Sequence, residues 1–295
     1  MSQQRVTVLM GGPDAERDVS IASGIAVTNA LNQTNLFDVS SIVIDTPSLQ
    51  EIEMIESDVI FPVLHGPFGE GGPLQELLER AGKVFVGSSS DVAKTAMDKI
   101  ATKQIASKLG IQTPSWCCVK KNVSPSIDPP LVLKPNEDGS SFGISICANQ
   151  KEVSEHLGSL ENPDCMLAET FIKGREVTIG FFCGKTFPMI EILPPCDLQS
   201  YDFEAKYERD DTQYILEPNV PQNDCAQWTN LLCIEIGIKD IARADFILNE
   251  QGAWFLEVNT MPGFTDHSLL PMAAKHIGIE MPELCTRLIQ SAMNT

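Results

Sequence analysis

An alternation of polar and apolar residues over the stretch RADFILNEQGAWFLEVNTMPG constrains the fold of this chain more than any other feature. A three-residue loop at 250–252, with its glycine in the left-handed conformation that such loops favour, predicts a β-hairpin here. In that register Asp245 lies opposite Glu257, and Arg243 lies opposite Asn259. One face of the hairpin then carries two acids, an amide and an arginine close together.

The opposite face of this hairpin is apolar and is predicted to be core. Its members are Phe246, Leu248, Trp254, Leu256 and Val258. On the polar face, two carboxylates and a carboxamide suit a hard cation such as Mg²⁺, which usually arrives with substrate phosphates. The hairpin alone favours the plainer interpretation of a polar outer face. A four-residue loop would also destroy the pairing, so the metal hypothesis depends on the loop.

The balance of charge limits the partners of this chain. Its 295 residues carry a formal net charge of −19, and such a field repels nucleic acid and anionic membranes. A polyanionic small ligand stays compatible with this charge if a few cations gather locally. The length indicates about two or three domains, and the 43% hydrophobic content is that of a globular protein.

The first residues, MSQQRVTVLM, do not predict a secretory signal, and no apolar run approaches the length that spans a membrane. The nine cysteines include no CxxC pair and no histidine spacing suited to zinc. We therefore expect reduced core cysteines in a cytosolic protein.

Strands and helices alternate along the first part of the chain, and this rhythm predicts a parallel α/β unit at 1–90. A second unit is predicted at 91–174, and a third, which holds the hairpin, at 175–295. The predicted strands are 6–10, 39–44, 59–64, 84–86, 131–134, 144–148, 177–183 and 189–192. The predicted helices are 18–31, 74–81, 91–109, 226–236 and a C-terminal helix from about 283.

Two glycine-containing turns follow predicted strands and can approach an anion. Lys134 ends an apolar strand and begins the turn 134–143, whose glycines allow close backbone approach and whose serines add hydroxyl donors. This turn matches neither the P-loop order nor GxGxxG, and a plain hairpin loop explains it equally well. The turn at 11–17 lies at the carboxyl end of the first strand, where parallel sheets bind ligands. Its Glu16 is also explained as an ordinary first-turn acid.

Further positions carry titratable or charged side chains. His65 ends another parallel strand at the same sheet edge. A lone histidine is more often structural, but this location raises the odds of a functional role. A predicted loop puts Lys206 within reach of a phosphate and Tyr207 where it can close over a site, unless the tyrosine only anchors a solvated loop. Lys99 and Lys103, one helical turn apart, are expected at the surface by default.

Taken in order, six segments resemble motifs of the D-alanine–D-alanine ligases of the ATP-grasp superfamily. They are GGPDAERDVSIASG (11–24), LHGPFGEGGPLQ (64–75), MDKIATK (97–103), LVLKPNEDGSSFGIS (131–145), YDFEAKY (201–207), and RADF with LEVNTMPGFTDHSLLPMAA (243–274). Together they cover nearly the whole chain. The resemblance implies a mixed α/β (α+β), three-domain ATP-grasp fold, with an N-terminal Rossmann-like parallel sheet and two further sheets that enclose ATP.

The resemblance also implies roles toward nucleotide and metal. Asp245, Glu257 and Asn259 are expected to hold two Mg²⁺ ions, with Mn²⁺ as a substitute, that bridge the ATP phosphates. The expected phosphate contacts are Lys99 and Lys134, with Lys206 at the transferring γ-phosphate. The expected contacts to the rest of ATP are the segment Glu169 to Ile172, at the adenine, and Glu176, at the ribose.

Toward the amino-acid substrates, the resemblance implies that Arg243 and the amide of Gly263 stabilise the oxyanion of a tetrahedral intermediate. Glu16 is expected to hold the first substrate's amine and, with Ser140 and Tyr207, to form the link that closes a loop over the site. The remaining expected contacts are His65, in the first-substrate pocket, and Ser268 and Leu269, at the second substrate's carboxylate.

The activity implied by the resemblance is ATP-dependent joining of two D-alanine molecules through an acyl phosphate, for peptidoglycan precursors, in a cytoplasmic homodimer. The motifs depart from the family pattern in the segment 69–72 and at Phe203, Phe264 and Asp266, and Asp266 adds negative charge near the second substrate. The alternatives are ligation of D-alanine to another amine or hydroxy acid, which Tyr207 disfavours, and a non-catalytic ATP-binding regulator. A plain metal-binding module leaves the lysines unexplained.

Overall fold

The N-terminal part of the chain forms a small parallel sheet with helices around it. The computed structural model describes residues 3–120, 123–139, 143–159, 166–195, 211–220, 223–265 and 267–294. The first elements are β1 (Gln4–Gly11), α1 (Arg17–Thr34), β2 (Phe37–Ile44), α2 (Leu49–Glu53), β3 (Val59–Pro62), α3 (Gly66–Glu70) and α4 (Pro73–Arg80). β1 lies between β2 and β3, and all three strands are parallel as predicted. The predicted strand 84–86 is reduced to one parallel bridge between Phe85 and Ile60.

Two helices replace the single helix predicted at 91–109. They are α5 (Ser90–Met97) and α6 (Lys99–Lys108). Asp98 separates them because its backbone is extended, with a ψ of 99°, and its side chain accepts a hydrogen bond from Ala101 N at 2.9 Å. An aspartate in this position stabilises a helix start by satisfying a free N–H. The break therefore makes Lys99 the first residue of α6.

A four-stranded antiparallel sheet follows. Its elements are β4 (Trp116–Val119), β5 (Leu131–Pro135), β6 (Ser145–Cys147), α7 (Gln150–Ser159) and β7 (Met166–Thr170). The strand order is β4-β7-β5-β6, and Val153 and Leu157 of α7 are buried in the core beneath the sheet. β4, α7 and β7 lie outside the predicted elements, because their short apolar runs give little periodicity from which to predict them.

The C-terminal part holds the largest sheet. Its elements are β8 (Arg175–Phe182), β9 (Lys185–Thr186), β10 (Ile190–Leu193), β11 (Gln213–Leu216), α8 (Cys225–Ile236), β12 (Ile241–Asn249), β13 (Gly252–Asn259), α9 (Leu269–His276) and α10 (Met281–Met293). The strand order is β11-β10-β8-β12-β13, with β9 paired to β8. β13 is therefore an edge strand, and α6 packs against it.

The loop of the β12–β13 hairpin differs from the prediction. It has two residues, Glu250 and Gln251, so that Asn249 pairs with Gly252. Gly252 has a positive φ of 124° and is the first residue of β13 instead of the last residue of the loop. The predicted three-residue loop is wrong.

A β-bulge restores the register that the site requires. The pairing shifts by one residue next to Asp245, and Leu256 is the additional residue in β13. Beyond the bulge Asp245 lies opposite Glu257, and Arg243 lies opposite Asn259. Both predicted pairs are therefore confirmed.

The same bulge changes which residues of β13 reach the core. Ala253 and Phe255 are buried together with Phe246, Leu248 and Val258. The predictions for the remaining two positions, Trp254 and Leu256, are wrong, since both are only partly buried. With a two-residue loop, the residues between turn and bulge have the opposite parity to the one predicted.

The N-terminal sheet and the C-terminal helices share one hydrophobic core. Val8 and Phe61 of the sheet lie in the same buried cluster as Leu270 of α9 and Leu284 and Leu288 of α10. Each such fully buried side chain contributes about 1.5–3 kcal/mol relative to its exposed state. The division at residues 90/91 and 174/175 stays a prediction, while this core joins the two ends of the chain.

The cysteines depart in part from the expectation of reduced core residues. Cys118 is in a disulfide, whereas the other cysteines of the described ranges are free, and Cys183 among them is exposed. The described helices include none that is long and apolar enough to cross a membrane.

Candidate active site

Lys103 of α6 and two residues of the central sheet form a buried ionic array, and Lys99 of the same helix lies beside it. Lys99 and Lys103 are 6% and 0% exposed, so the default expectation of surface lysines is wrong for both. Lys134 is in β5 and Glu169 is in β7. Glu169 pairs with the residue two positions before Lys134, so the two side chains project from the same face.

Glu169 is shared between two ammonium groups. Its Oε1 lies 2.6 Å from Lys134 Nζ, and its Oε2 lies 2.7 Å from Lys103 Nζ. Lys103 Nζ also donates to Thr113 Oγ1 at 2.8 Å and lies 3.4 Å from the carbonyl oxygen of Phe255 in β13. The contact at Oε2 is an ion pair by distance and lacks the direction of a hydrogen bond. Lys103 thus connects β7 to β13.

Neighbouring charges keep this array ionised. Burial opposes the charged form of Glu169, but Lys103 and Lys134 outweigh it and hold the pKa of Glu169 below its usual value. Burial also works against the charge of Lys134, yet the carboxylates of Glu169 and Glu257 raise its pKa. Burial lowers the pKa of Lys103 to about 8. At neutral pH the two ammonium groups therefore share the carboxylate of Glu169, and two adjacent cations with one shared partner suit an anion.

Lys99 connects this array to the hairpin. Its Nζ donates to the carbonyl oxygen of Asp138 at 2.6 Å and lies 3.5 Å from Glu257 Oε2. The turn that contains Asp138 is held close because the side chain of Asn136 accepts from Ile100 N at 3.0 Å. A residue predicted to bind phosphate and one predicted to bind metal are thus in contact.

Asp245 is the centre of a second polar cluster. Arg243 donates to both of its carboxylate oxygens at 3.0 Å, from Nε and Nη2. Thr178 Oγ1 donates to Asp245 Oδ1 at 2.6 Å, and Asn259 Nδ2 lies 3.5 Å from Oδ2. The carboxylate is 6% exposed, and these donors fix its orientation.

The donor set of the hairpin fits Mg²⁺ that arrives with a nucleotide. Asp245 and Glu257 are directly opposite each other, and Asn259 adds an amide oxygen. Within the described ranges no group of three or more His, Cys, Asp or Glu side chains could hold a metal. Two carboxylates and an amide leave coordination positions for water and phosphate oxygens, which is how Mg²⁺ is usually bound.

Two buried acids lie close together near the carboxyl edge of the N-terminal sheet. A Cβ atom added to Gly139 would lie 3.3 Å from Glu16 Oε1 and 3.6 Å from Glu70 Oε1. Glu16 and Glu70 are both buried, and Glu70 Oε1 accepts from Gly66 N at 3.2 Å. Since Gly139 belongs to the turn after β5, this turn reaches across to the acids.

His65 lies at the same edge of the sheet, and its imidazole is neutral at neutral pH. Its Nδ1 lies 3.1 Å from the carbonyl oxygen of Met261, and its Nε2 is buried without a hydrogen-bond partner among the described residues. Burial and, to a smaller extent, the charge of Arg243 lower the pKa of His65 to about 4. Burial raises the pKa of Glu70 to about 7, and the Glu16 carboxylate adds to the rise.

Glu70 makes the stability of the fold depend on pH. The pKa of Glu70 in the folded state is about 7, above the ordinary value of 4.5. Its contribution to the free energy of unfolding is therefore fully present below pH 4.5 and is lost as the pH rises through 7. The loss is about 3 kcal/mol over this window. We expect Glu70→Gln to gain stability relative to the unsubstituted protein between about pH 5 and about pH 8.

Denaturant unfolding at several pH values measures this difference. Glu76→Gln is the control, because Glu76 is on the neighbouring helix α4 and its side chain is 63% exposed. Stability curves of Glu70→Gln and the unsubstituted protein that stay parallel over the whole window would contradict the role of Glu70.

The three remaining residues that are predicted to contact substrate follow β13, and they are Gly263, Ser268 and Leu269. A Cβ atom at Gly263 would lie 2.7 Å from Ser268 Oγ, so any larger residue there would displace the Ser268 hydroxyl. Ser268 Oγ accepts from Thr265 N at 2.9 Å and thereby closes the turn. Leu269 begins α9 with its side chain packed in the core, which leaves its backbone for contacts.

The segment predicted to bind adenine borders an open cleft of about 800 Å³. The cleft lies between the end of β7 and the β12–β13 turn, and Ile172 is on its wall. Its lining residues are Thr170, Phe171, Ile172, Lys173, Gly174, Arg175, Leu248, Asn249, Glu250 and Gln251. Glu176 follows this lining in β8, and its charge raises the pKa of Lys134, so Glu176 lies between the cleft and the ionic array.

The structure therefore brings most of the predicted residues into two groups. One surrounds the ionic array and the hairpin, and the other lies at the edge of the N-terminal sheet and in the turn after β13. Ser140, Lys206 and Tyr207 lie outside the described residues. Lys103, Glu70 and Thr178 belong to the site region but are absent from the predicted set. The spacing of Lys103 from Lys99 indicates a shared helix face, whereas nothing local marks Glu70 or Thr178, which become relevant only through pairing of distant segments.

Comparisons with known proteins agree over nearly the full length. The family described as D-ala D-ala ligase C-terminus matches residues 106–290. The D-alanine–D-alanine ligase of Syntrophotalea carbinolica is 37% identical over 99% of this chain and 97% of its own length. That of Methylacidiphilum infernorum is 36% identical over 97% and 95%.

Solved structures share the fold. A D-alanine–D-alanine ligase from Bacillus anthracis complexed with ATP has a TM-score of 0.85 and 28% identity, with 100% of this chain and 98% of that chain covered. The VanG D-Ala:D-Ser ligase of Enterococcus faecalis has a TM-score of 0.84 and 25% identity, with 99% and 100% covered. One parallel and two antiparallel sheets arranged in this way are the ATP-grasp fold of ATP-dependent ligases. The chain belongs to the D-alanine–D-alanine ligase family.

Proposed function

We infer that this protein joins two molecules of D-alanine into D-alanyl-D-alanine and converts ATP to ADP and phosphate. The observation that carries this proposal is the 3.5 Å contact between Lys99 and Glu257, which joins a cationic array to an oxygen-rich hairpin face. A site for phosphates and a site for their metal ion are thereby adjacent. The family relatives named D-alanine–D-alanine ligase support the choice of substrate.

In this proposal the nucleotide lies along the cleft, with its phosphates toward Lys99 and Lys134. The adenine contacts the segment that begins at Glu169, and Glu176 contacts the ribose. Asp245, Glu257 and Asn259 hold two Mg²⁺ ions, or Mn²⁺ in their place. When bound, these ions supply positive charge to the phosphate oxygens during phosphoryl transfer.

The reaction proceeds in two steps. A carboxylate oxygen of the first D-alanine attacks the γ-phosphorus, the bond to the β-phosphate oxygen breaks, and ADP leaves. The amine of the second D-alanine then attacks the acyl carbon, loses a proton, and phosphate departs with the original carboxylate oxygen. Arg243 and the N–H of Gly263 face the oxyanion in between, and such donors are usually a large part of catalysis.

The substrate pocket carries charges suited to an amino acid. Glu16 offers a carboxylate to the first amine, while the neutral His65 lines the same pocket without repelling it. Arg243 influences the pKa values of both His65 and Glu70, so the group proposed for the oxyanion is close to the pocket. Ser268 and the backbone at Leu269 are proposed to contact the second carboxylate.

Phosphate release with ATP and Mg²⁺ tests the proposal directly. The panel contains D-alanine, L-alanine, D-serine and D-lactate, each alone and with D-alanine. We expect release that depends on D-alanine, with D-alanyl-D-alanine identified by mass spectrometry. Release that ignores D-alanine would overturn the proposal.

The same panel separates the nearest second candidate. The similarity to a D-Ala:D-Ser ligase makes D-serine the alternative second substrate. A mixed dipeptide in preference to D-alanyl-D-alanine would favour it. We further propose a cytoplasmic homodimer in peptidoglycan precursor synthesis. The exposed Ile42 and Val43 on β2, which is an edge strand of the N-terminal sheet, support the dimer.

A further inference from the structure

Lys103 has no function in the mechanism above, yet it is the most completely buried lysine of the site. Its side chain is 0% exposed, and it lies one turn after Lys99 on α6. A lysine is rarely buried unless its charge is paired. Its partner here is Glu169, whose other carboxylate oxygen contacts Lys134.

Lys103 is also held firmly in place. Thr113 Oγ1 accepts from its ammonium at 2.8 Å and itself donates to the carbonyl oxygen of Phe255 at 2.9 Å. Phe255 N donates to Gln112 O at 2.8 Å. Because these contacts fix the ammonium against the edge of β13, Lys103 keeps Glu169 Oε2 at a constant position.

The consequence concerns Lys134. A carboxylate that pairs with one ammonium group neutralises the charge of that group. A carboxylate between two ammonium groups leaves the three groups together with one positive charge. Without Lys103, Glu169 would pair with Lys134 alone. It would then compete with an incoming phosphate for the Lys134 ammonium. The desolvated surroundings strengthen this competition, since all three side chains are buried.

We propose that Lys103 is a positioning residue, which shares the charge of the Glu169 carboxylate with Lys134 and so leaves the Lys134 ammonium able to bind an anionic phosphate. This role rests on the proposed function, in which Lys134 contacts the nucleotide phosphates. It assigns to Lys103 an effect on nucleotide affinity without any contact to the nucleotide.

A double-mutant cycle on Lys103 and Glu169 tests the proposal. The variants are Lys103→Met, Glu169→Gln and the two combined, and Lys108→Met is the matched control at an exposed position on the same helix. Calorimetry measures the affinity for ADP and for adenosine in the presence of Mg²⁺, and circular dichroism measures folding. ADP is used because it binds without turnover.

We expect Lys103→Met to weaken ADP binding about tenfold or more, with little change for adenosine. Removing Glu169 as well abolishes the effect, so the combined variant binds ADP as Glu169→Gln does. Lys108→Met keeps the original affinity. If Lys103→Met alone does not fold, Lys103→Gln takes its place in the cycle, because it removes the charge and keeps a donor for Thr113 Oγ1, and the same loss of ADP affinity is expected.

Three results would overturn the role of Lys103. They are an unchanged ADP affinity in Lys103→Met, an equal loss for ADP and adenosine, and a combined variant weaker than Glu169→Gln. If the unsubstituted protein binds ADP and releases phosphate with D-alanine, these results reject the positioning role alone. A protein that binds no nucleotide rejects the proposed function and this role together.

Discussion

Replacement of Asp245 by asparagine is expected to abolish magnesium-dependent turnover. The exchange preserves the shape of a side chain that is 6% exposed and removes the charge that a metal ion requires. Metal charge stabilises phosphoryl transfer by several kcal/mol, so the rate should fall about 1,000-fold or more. Phosphate release at saturating ATP over a range of Mg²⁺ concentrations measures the loss, and Glu257→Gln should behave in the same way.

A control separates this effect from a general loss of charge. Glu235 is an exposed acid on α8, and Glu235→Gln should keep the full rate. Calorimetric titration of ATP with and without Mg²⁺ supplies a second measurement that does not depend on turnover. Full activity in Asp245→Asn with an unchanged magnesium requirement would exclude the hairpin as the metal site.

Arg243→Ala is expected to lower kcat by about 100-fold or more, the usual effect of removing one oxyanion donor. In the structure its guanidinium donates to both oxygens of Asp245 at 3.0 Å. Positive ions at Asp245 would repel this guanidinium and favour its release toward a substrate oxyanion. Arg243→Lys keeps the charge without the two-pronged geometry and should fall between the two rates.

Steady-state kinetics with varied D-alanine and varied ATP distinguishes this effect from weaker binding. The control is Arg80→Ala, since Arg80 takes part in an exposed ion pair with Glu76, and such pairs contribute little. The loss should appear in kcat more than in the KM for ATP. An Arg243→Ala variant that works at the original rate would remove Arg243 from the oxyanion role.

The hairpin shows how far sequence reasoning reached and where it failed. Asp245 and Glu257 face each other as predicted, although the predicted loop is one residue too long. The bulge at Leu256 compensates for the shorter loop. A bulge has no marker in the alternation of polar and apolar residues, because it depends on pairing with the neighbouring strand. The alternation therefore predicts the pair Asp245 and Glu257 correctly and the faces of Trp254 and Leu256 wrongly.

The buried charges were the hardest part of the site to predict. Lys103 and Lys99 are one turn apart, and a sequence rule puts such a pair at the surface unless partners are known. The partner of Lys103 is Glu169, which is in a strand outside the predicted elements. Glu70 has a raised pKa because folding removes water from it and brings the Glu16 carboxylate near. Local sequence determines neither the contact between Lys103 and Glu169 nor the burial of Glu70, since both arise from packing between distant segments.

The hydrophobic core shared by β1, β3 and α10 has a consequence for synthesis of the chain. The parallel sheet leaves the ribosome first, but Leu284 and Leu288, which help to cover it, are translated long after it. Until then part of its apolar surface has no intramolecular cover, and such surfaces promote aggregation. Contacts so distant in sequence also form slowly. Loss of the last helix would therefore uncover the first strands, at the opposite end of the chain.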